Sequence, residues 1–89
     1  MVVKKPMLTF TDHSWSLEKL QEFVGGYISQ PIKLEDGRTM IVNEEGLLMG
    51  LPYNREATDL AQGKMGGVSI SPDDYIVGNA VVFEKGAFK

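Results

Sequence analysis

The run Ala80-Val81-Val82-Phe83 decides the fold, because it places four consecutive apolar residues near the end of an 89-residue chain. A short, uninterrupted apolar run is typical of a strand that is buried on both faces. We therefore interpret residues 76–84 as the last and central strand of a small sheet. The remainder of the chain then has to supply the neighbouring strands and the helices that pack against the sheet.

The strongest helix pattern lies far upstream of this strand. From Leu17, apolar residues recur three, three and one positions apart, which places them on one face of a helix. Ser16 is a good N-cap, and Trp15 and Leu20 have the spacing of a hydrophobic staple. A glycine pair at positions 25 and 26 supplies the left-handed residue that ends such a helix. The sequence therefore predicts a helix over residues 17–24.

A meander is predicted between this helix and the middle of the chain. Residues 27–34 and 39–43 are extended in pattern and flank Asp36-Gly37, a dipeptide typical of hairpin turns. A second turn at residues 44–46 leads into a third predicted strand over residues 47–51. Strands joined by such short turns are antiparallel.

A second helix is predicted after Asn54, a strong N-cap, and Gly63 ends it. The expected fold is therefore α+β, with two short helices and a small, mostly antiparallel sheet that consists of the meander plus the C-terminal central strand. Residues 1–89 are expected to form a single domain, with residues 1–6 as a loose N-terminal lead-in.

Composition excludes several classes of protein. Hydrophobic residues make up 43% and charged residues 24%, which is typical of a folded globular domain. The absence of cysteine excludes disulfides and thiolate metal sites. A net charge of −3 argues against nucleic-acid binding, and no apolar run approaches the roughly 20 residues of a membrane span. We expect a cytoplasmic protein with no membrane attachment.

No catalytic constellation is recognisable, so the sequence predicts neither a catalytic residue nor a metal site nor a cofactor. The single histidine, His13, lies beside Ser14, but sequence neighbours rarely adopt triad geometry and no orienting acid is evident. Adjacent acids occur at positions 35/36, 44/45 and 73/74, all in predicted turns. None of these pairs has the alternating spacing of a calcium loop.

A candidate ligand rim surrounds the start of the second helix. Free N–H groups after Asn54 favour an anion, Arg55 can pair with phosphate, and Tyr53 can stack on a base. The glycine-rich stretch at residues 63–67 contains Lys64 and can offer backbone amides to an anion. A purely structural role for the same asparagines, as turn and cap residues, is the alternative.

The same residues carry a family resemblance. The runs Leu20–Ile28, Asp36-Gly37, Val42–Gly46, Gly50–Asn54, Ala57–Leu60 and Ile76–Val81 span most of the chain. Together they resemble a domain-of-unknown-function family of small proteins found in phages, plasmids and their bacterial hosts. Family members commonly carry a glutamate where this chain has Ser29. The resemblance implies a context, in the host cytoplasm if the chain is phage-encoded, and no established activity.

Three functions are compatible with that context. The first, which we favour from the sequence over the other two, is a non-catalytic homo-oligomer that sequesters a nucleotide immune signal, such as a cyclic dinucleotide or an ADP-ribose derivative, and so counters host defence. The second is a protein-interaction module that inhibits or recruits a host protein, whose mark would be a large exposed apolar patch. The third is a small nucleotide-degrading enzyme. The first predicts a ligand site built from Tyr27, Asn43, Tyr53, Asn54, Arg55, Thr58 and Lys64.

Overall fold

The computed structural model describes residues 6–29, 31–34, 36–63 and 74–87. Within these ranges it has two helices and one four-stranded sheet, and the expected α+β class is confirmed. In chain order the elements are β1 (Leu8–Thr11), α1 (Leu17–Val24), β2 (Ile32–Lys33), β3 (Thr39–Ile41), α2 (Arg55–Ala61) and β4 (Ala80–Phe83). Across the sheet the order is β1-β4-β3-β2, with β1 parallel to β4 and the other two pairs antiparallel.

Strand β4 is central, as the apolar run predicts, and all four of its residues are buried. Because side chains alternate along a strand, Ala80 and Val82 lie on one face and Val81 and Phe83 on the other. The first face packs with α2 in a cluster that includes Leu60. The opposite face packs with α1 in a second apolar cluster. The two helices therefore cover opposite faces of the sheet.

Helix α1 begins and ends where the sequence predicts. The Ser16 side chain accepts a hydrogen bond from the Lys19 amide at 3.2 Å, and Gly25 adopts a left-handed φ of 82°. Trp15 packs edge-on against Phe23 and Phe83, with ring centroids 5.5 and 5.9 Å apart. Trp15 thus packs against the apolar cluster that contains Leu20, and this packing holds the segment that leads into α1.

The first predicted hairpin is also present, since β2 and β3 pair antiparallel around a turn with Gly37 at φ 94°. The Asp36 carboxylate accepts hydrogen bonds from the Arg38 backbone and guanidinium, at 3.0 and 2.8 Å. Both bonds lower the pKa of the Asp36 carboxyl below its usual value, and the bond from the guanidinium has the larger effect. A turn glycine and a local ion pair thus support this connection.

The third predicted strand is wrong, because residues 44–50 form consecutive turns and not a strand. The Asn43 side chain accepts the Glu45 amide at 2.7 Å and bends the chain directly after β3. The neighbour of β3 on that side is instead β4. The predicted last strand is also shorter than expected, since Gly78 at φ 76° separates Val77 from β4.

No helix in the ranges that the structure describes is long and apolar enough to cross a bilayer. The predicted glycine-rich stretch at residues 63–67 lies outside the described residues except for Gly63, which has a φ of 93° just after α2.

Candidate binding surface

Three of the predicted ligand residues are buried and hydrogen-bonded inside the fold. Asn54 is only 2% exposed: its carboxamide oxygen caps α2 by accepting the Ala57 amide, and its nitrogen donates to the Met7 and Gly78 carbonyls at 3.1 and 2.8 Å. Asn54 thus performs the predicted cap and also ties α2 to two distant segments.

Asn43 and Thr58 have the same kind of environment. The Asn43 carboxamide nitrogen donates to the Val24 carbonyl at 3.0 Å, while its oxygen accepts the Glu45 amide. The Thr58 hydroxyl accepts the Ile76 amide at 2.8 Å. All the polar side-chain atoms of the two residues therefore have partners within the chain. These contacts indicate a structural role for both residues.

Three other predicted ligand residues, Tyr27, Tyr53 and Arg55, lie at the surface. Tyr27 is 66% exposed, and Tyr53 is 52% exposed with its ring 5.9 Å from that of Tyr75. Arg55 is strongly exposed, and its guanidinium lies 3.9 Å from the Asp59 carboxylate, one turn along α2. Lys64 lies outside the described residues. The structure thus brings Tyr53, Asn54 and Arg55 together at the start of α2, with Asn54 facing inward.

Sequence reasoning missed Asn79, which joins two more segments. Its carboxamide oxygen accepts the Met7 amide and its nitrogen donates to the Phe23 carbonyl, both at 2.9 Å. The Gly78-Asn79 dipeptide between two apolar runs was the available signal. The side chains of Asn43, Asn54 and Asn79 together connect the end of α1, the start of α2 and the segment before β4.

Three consecutive exposed apolar residues lie in the segment that replaces the third strand, and one of them, Leu48, is the most exposed large apolar residue of the described chain. We call residues 44–50 the apolar turn. Leu47 is 64% exposed, Leu48 86% and Met49 54%. Large apolar side chains that are adjacent and exposed mark interaction sites more often than single ones do. The apolar turn is therefore the candidate binding surface.

Many hydrogen bonds fix the backbone of the apolar turn. The Met49 amide donates to the Glu45 carbonyl at 2.9 Å, and the Leu51 amide donates to the Gly46 carbonyl at 3.0 Å. At its start, the Glu44 amide donates to the Tyr27 carbonyl at 2.9 Å. The apolar side chains are thus presented on an ordered scaffold, which lowers the entropy cost of binding.

Gly46 anchors the apolar turn against the rest of the molecule. A Cβ atom at this position would lie 2.7 Å from a methyl group of Val77, a β-branched side chain with little rotational freedom. At Gly50, by contrast, a Cβ atom would meet nothing within 4 Å, although the φ of 67° is left-handed. The two glycines of the same turn are therefore needed for different reasons, one for close contact and one for backbone conformation.

This difference gives a testable prediction. Gly46→Ala is expected to lower the free energy of unfolding by about 1–3 kcal/mol through overpacking against Val77. Gly50→Asn is expected to cost less than about 1 kcal/mol, because asparagine tolerates a left-handed φ. Urea unfolding of both variants measures the difference. Equal losses in the two variants would show that Gly46 does not form the close contact.

A cleft of about 340 Å³ lies beside the apolar turn, between residues 6–7, the end of α1, residues 51–52 and residues 78–79. Phe23, Leu51 and Pro52 give it apolar walls, and Glu22 lies on its rim. Asn43 connects the turn to one wall of the cleft, because its carboxamide nitrogen donates to both the Val24 carbonyl and the Met49 sulfur. Its volume is near the lower end of the ~300–1,000 Å³ of small-molecule sites.

Groups suited to catalysis or metal binding are sparse in the described part of the chain. His13 contacts the Asp12 carboxylate at 3.0 Å, and both side chains are exposed. The hydrogen bond from His13 is the main cause that lowers the pKa of Asp12. Among the described residues, no group of three or more acidic or histidine side chains is placed to hold a metal ion.

The geometry defines a small α+β domain that presents an ordered apolar turn beside a shallow cleft. The chain belongs to the family described as a domain of unknown function (DUF3846), whose model matches residues 1–87. This finding agrees with the resemblance to a domain-of-unknown-function family. No curated protein and no solved structure matches the chain.

Proposed function

We propose that this domain is a non-catalytic protein-interaction module and that the apolar turn is its docking surface. The observation that carries the proposal is the exposure of Leu47, Leu48 and Met49 on a backbone held by hydrogen bonds. Burying each of these side chains against a partner is worth about 1.5–3 kcal/mol. The resemblance to phage and plasmid proteins makes a bacterial host protein the expected partner.

Sequestration of a nucleotide by a homo-oligomer stays a prediction with weaker support. The polar groups of Asn43, Asn54 and Thr58, which would have oriented the ligand, are hydrogen-bonded within the chain. Helix α2 has only seven residues, and its Asn54 cap already occupies one of the N–H groups on which an anion would depend. A nucleotide could use these polar groups only if they gave up their partners within the chain. Docking of a protein on the apolar turn needs no such change, because the side chains involved are already exposed.

The test starts from capture of host proteins on the immobilised domain and continues with each purified candidate. Calorimetry then compares the wild type with a variant carrying Leu47→Ser, Leu48→Ser and Met49→Ser. We expect this variant to lose at least about 100-fold in affinity, because the apolar area of three side chains is no longer buried. Leu17→Ser is the matched control, since Leu17 is 56% exposed at the start of α1.

The outcomes separate the candidate functions. Equal affinity of the serine variant and the wild type would contradict the proposal, as would an equal loss in the Leu17→Ser control. Sedimentation of the wild type and the serine variant tests whether the captured partner is a second copy of the chain. A thermal-shift screen against cyclic dinucleotides and ADP-ribose derivatives is the parallel test. A shift with intact nucleotide recovered would favour sequestration over the proposed function.

A further inference from the structure

Among the described residues, the surroundings of the apolar turn carry more acids than basic residues. Residues 39–54 contain Glu44 and Glu45 and no lysine, arginine or histidine. Both glutamates are exposed. The neighbouring segments that contact the turn, residues 20–29 and 74–79, add Glu22 and Asp74 and again contain no basic residue. Lys19 and Arg55 directly flank these segments, so the four acids outnumber the two nearest basic residues and the described charge around the turn is negative on balance.

The cleft next to the turn has the same polarity. Glu22 lies on its rim, and the C-terminal end of α1, which carries the negative end of the helix dipole, forms part of its wall. Lys19 lies three residues before Glu22 on α1 and lines a second pocket with it, and its ammonium group lies 4.3 Å from the centre of the Trp15 ring. Glu22 and the end of α1 therefore favour a cation over a phosphate at their side of the cleft.

The remaining walls of the cleft suit the stem of a long basic side chain. Phe23, Leu51 and Pro52 offer apolar surface, and Glu22 lies at the edge, where a charged group stays in contact with water. Lysine and arginine side chains pack their methylene stems on apolar surface and leave the charged head solvated. The cleft therefore combines the two surfaces that such a side chain needs.

We propose that the partner of the apolar turn is a protein segment that is both apolar and basic. Its apolar side chains cover Leu47, Leu48 and Met49, and one of its lysine or arginine side chains enters the cleft beside Glu22. This inference rests on the proposed function and adds the chemistry of the partner. Charge complementarity is the reason for choosing a basic partner over a neutral or acidic one.

Three short synthetic peptides provide the probe. They share the same leucine positions and differ only in carrying arginine, glutamine or glutamate between the leucines. We expect the arginine peptide to bind at least about ten-fold more tightly than the glutamine peptide, and the glutamate peptide to bind most weakly. Added salt is expected to reduce the difference, because the charges are near the surface.

Matched variants on α1 separate a specific contact from net charge. Glu22→Gln is expected to weaken binding of the arginine peptide by about three-fold or more and to leave the glutamine peptide unchanged. Glu18→Gln removes the same charge one turn earlier on the same helix and is expected to have less than about a two-fold effect. Equal effects of the two variants would overturn the proposed cleft contact.

Failure of this inference is distinguishable from failure of the proposed function. Equal binding of the arginine and glutamine peptides, or binding of none of the three, overturns the basic partner. The proposed function still stands in that case if the serine variant of the apolar turn loses its captured partner. If the serine variant keeps that partner, the docking surface itself is wrong, whatever the ranking of the peptides.

Discussion

Phe83→Ala is expected to lower the free energy of unfolding by about 3–5 kcal/mol. Phe83 has no exposed surface and lies on the central strand β4, in the cluster that packs with α1. Its ring also contacts Trp15 edge-on, so the substitution leaves a cavity and removes an aromatic pair. For a domain with a total stability of roughly 5–15 kcal/mol, a loss of this size threatens the fold itself.

The matched control is Phe10→Ala on the adjacent strand β1. Phe10 pairs in register with Val82, but it is 46% exposed. The central carbon of the Arg38 guanidinium lies 5.7 Å from the centre of the Phe10 ring. Its replacement is expected to cost about 1 kcal/mol or less. Chemical unfolding of both variants measures the two losses. A similar loss at both positions would contradict the placement of β4 at the centre of the sheet.

Asn54→Ala is expected to lower the free energy of unfolding by about 2–4 kcal/mol. The substitution removes the cap of α2 and leaves the Met7 and Gly78 carbonyls without the donor that they share. Asn54→Asp keeps the capping oxygen but places a carboxylate against those two carbonyls. The aspartate variant is therefore not expected to restore the stability of the wild type.

Arg55→Ala provides the control for Asn54, because the Arg55 side chain is 83% exposed and belongs to the same helix start. It is expected to change the free energy of unfolding by less than about 0.5 kcal/mol. Urea unfolding compares the three variants. If Asn54→Ala were as stable as the wild type, the Asn54 carboxamide would be free to serve a ligand, and the nucleotide hypothesis would gain support.

The two asparagines show why the sequence reveals only part of the role of a predicted ligand residue. Asn54 as an N-cap follows from its position before an amphipathic helix, which is a local signal. Its two other hydrogen bonds reach Met7 and Gly78, which lie 47 and 24 residues away. Asn43 likewise reaches Val24, 19 residues away. No local pattern reveals partners at such distances, so the sequence does not show that both side chains are buried.

The sequence by itself determined the elements whose signals are short-range: the α1 cap and glycine end, the Asp36-Gly37 hairpin, the Asn54 cap and the two-sided burial of β4. Tertiary structure decided the rest. Leu47-Leu48-Met49 has the composition of a strand, but the Asn43 side chain bends the chain just before it, and β4 occupies the place next to β3. The physical reason is that caps and turns are stabilised by adjacent residues, whereas strand pairing and exposure depend on residues distant in sequence.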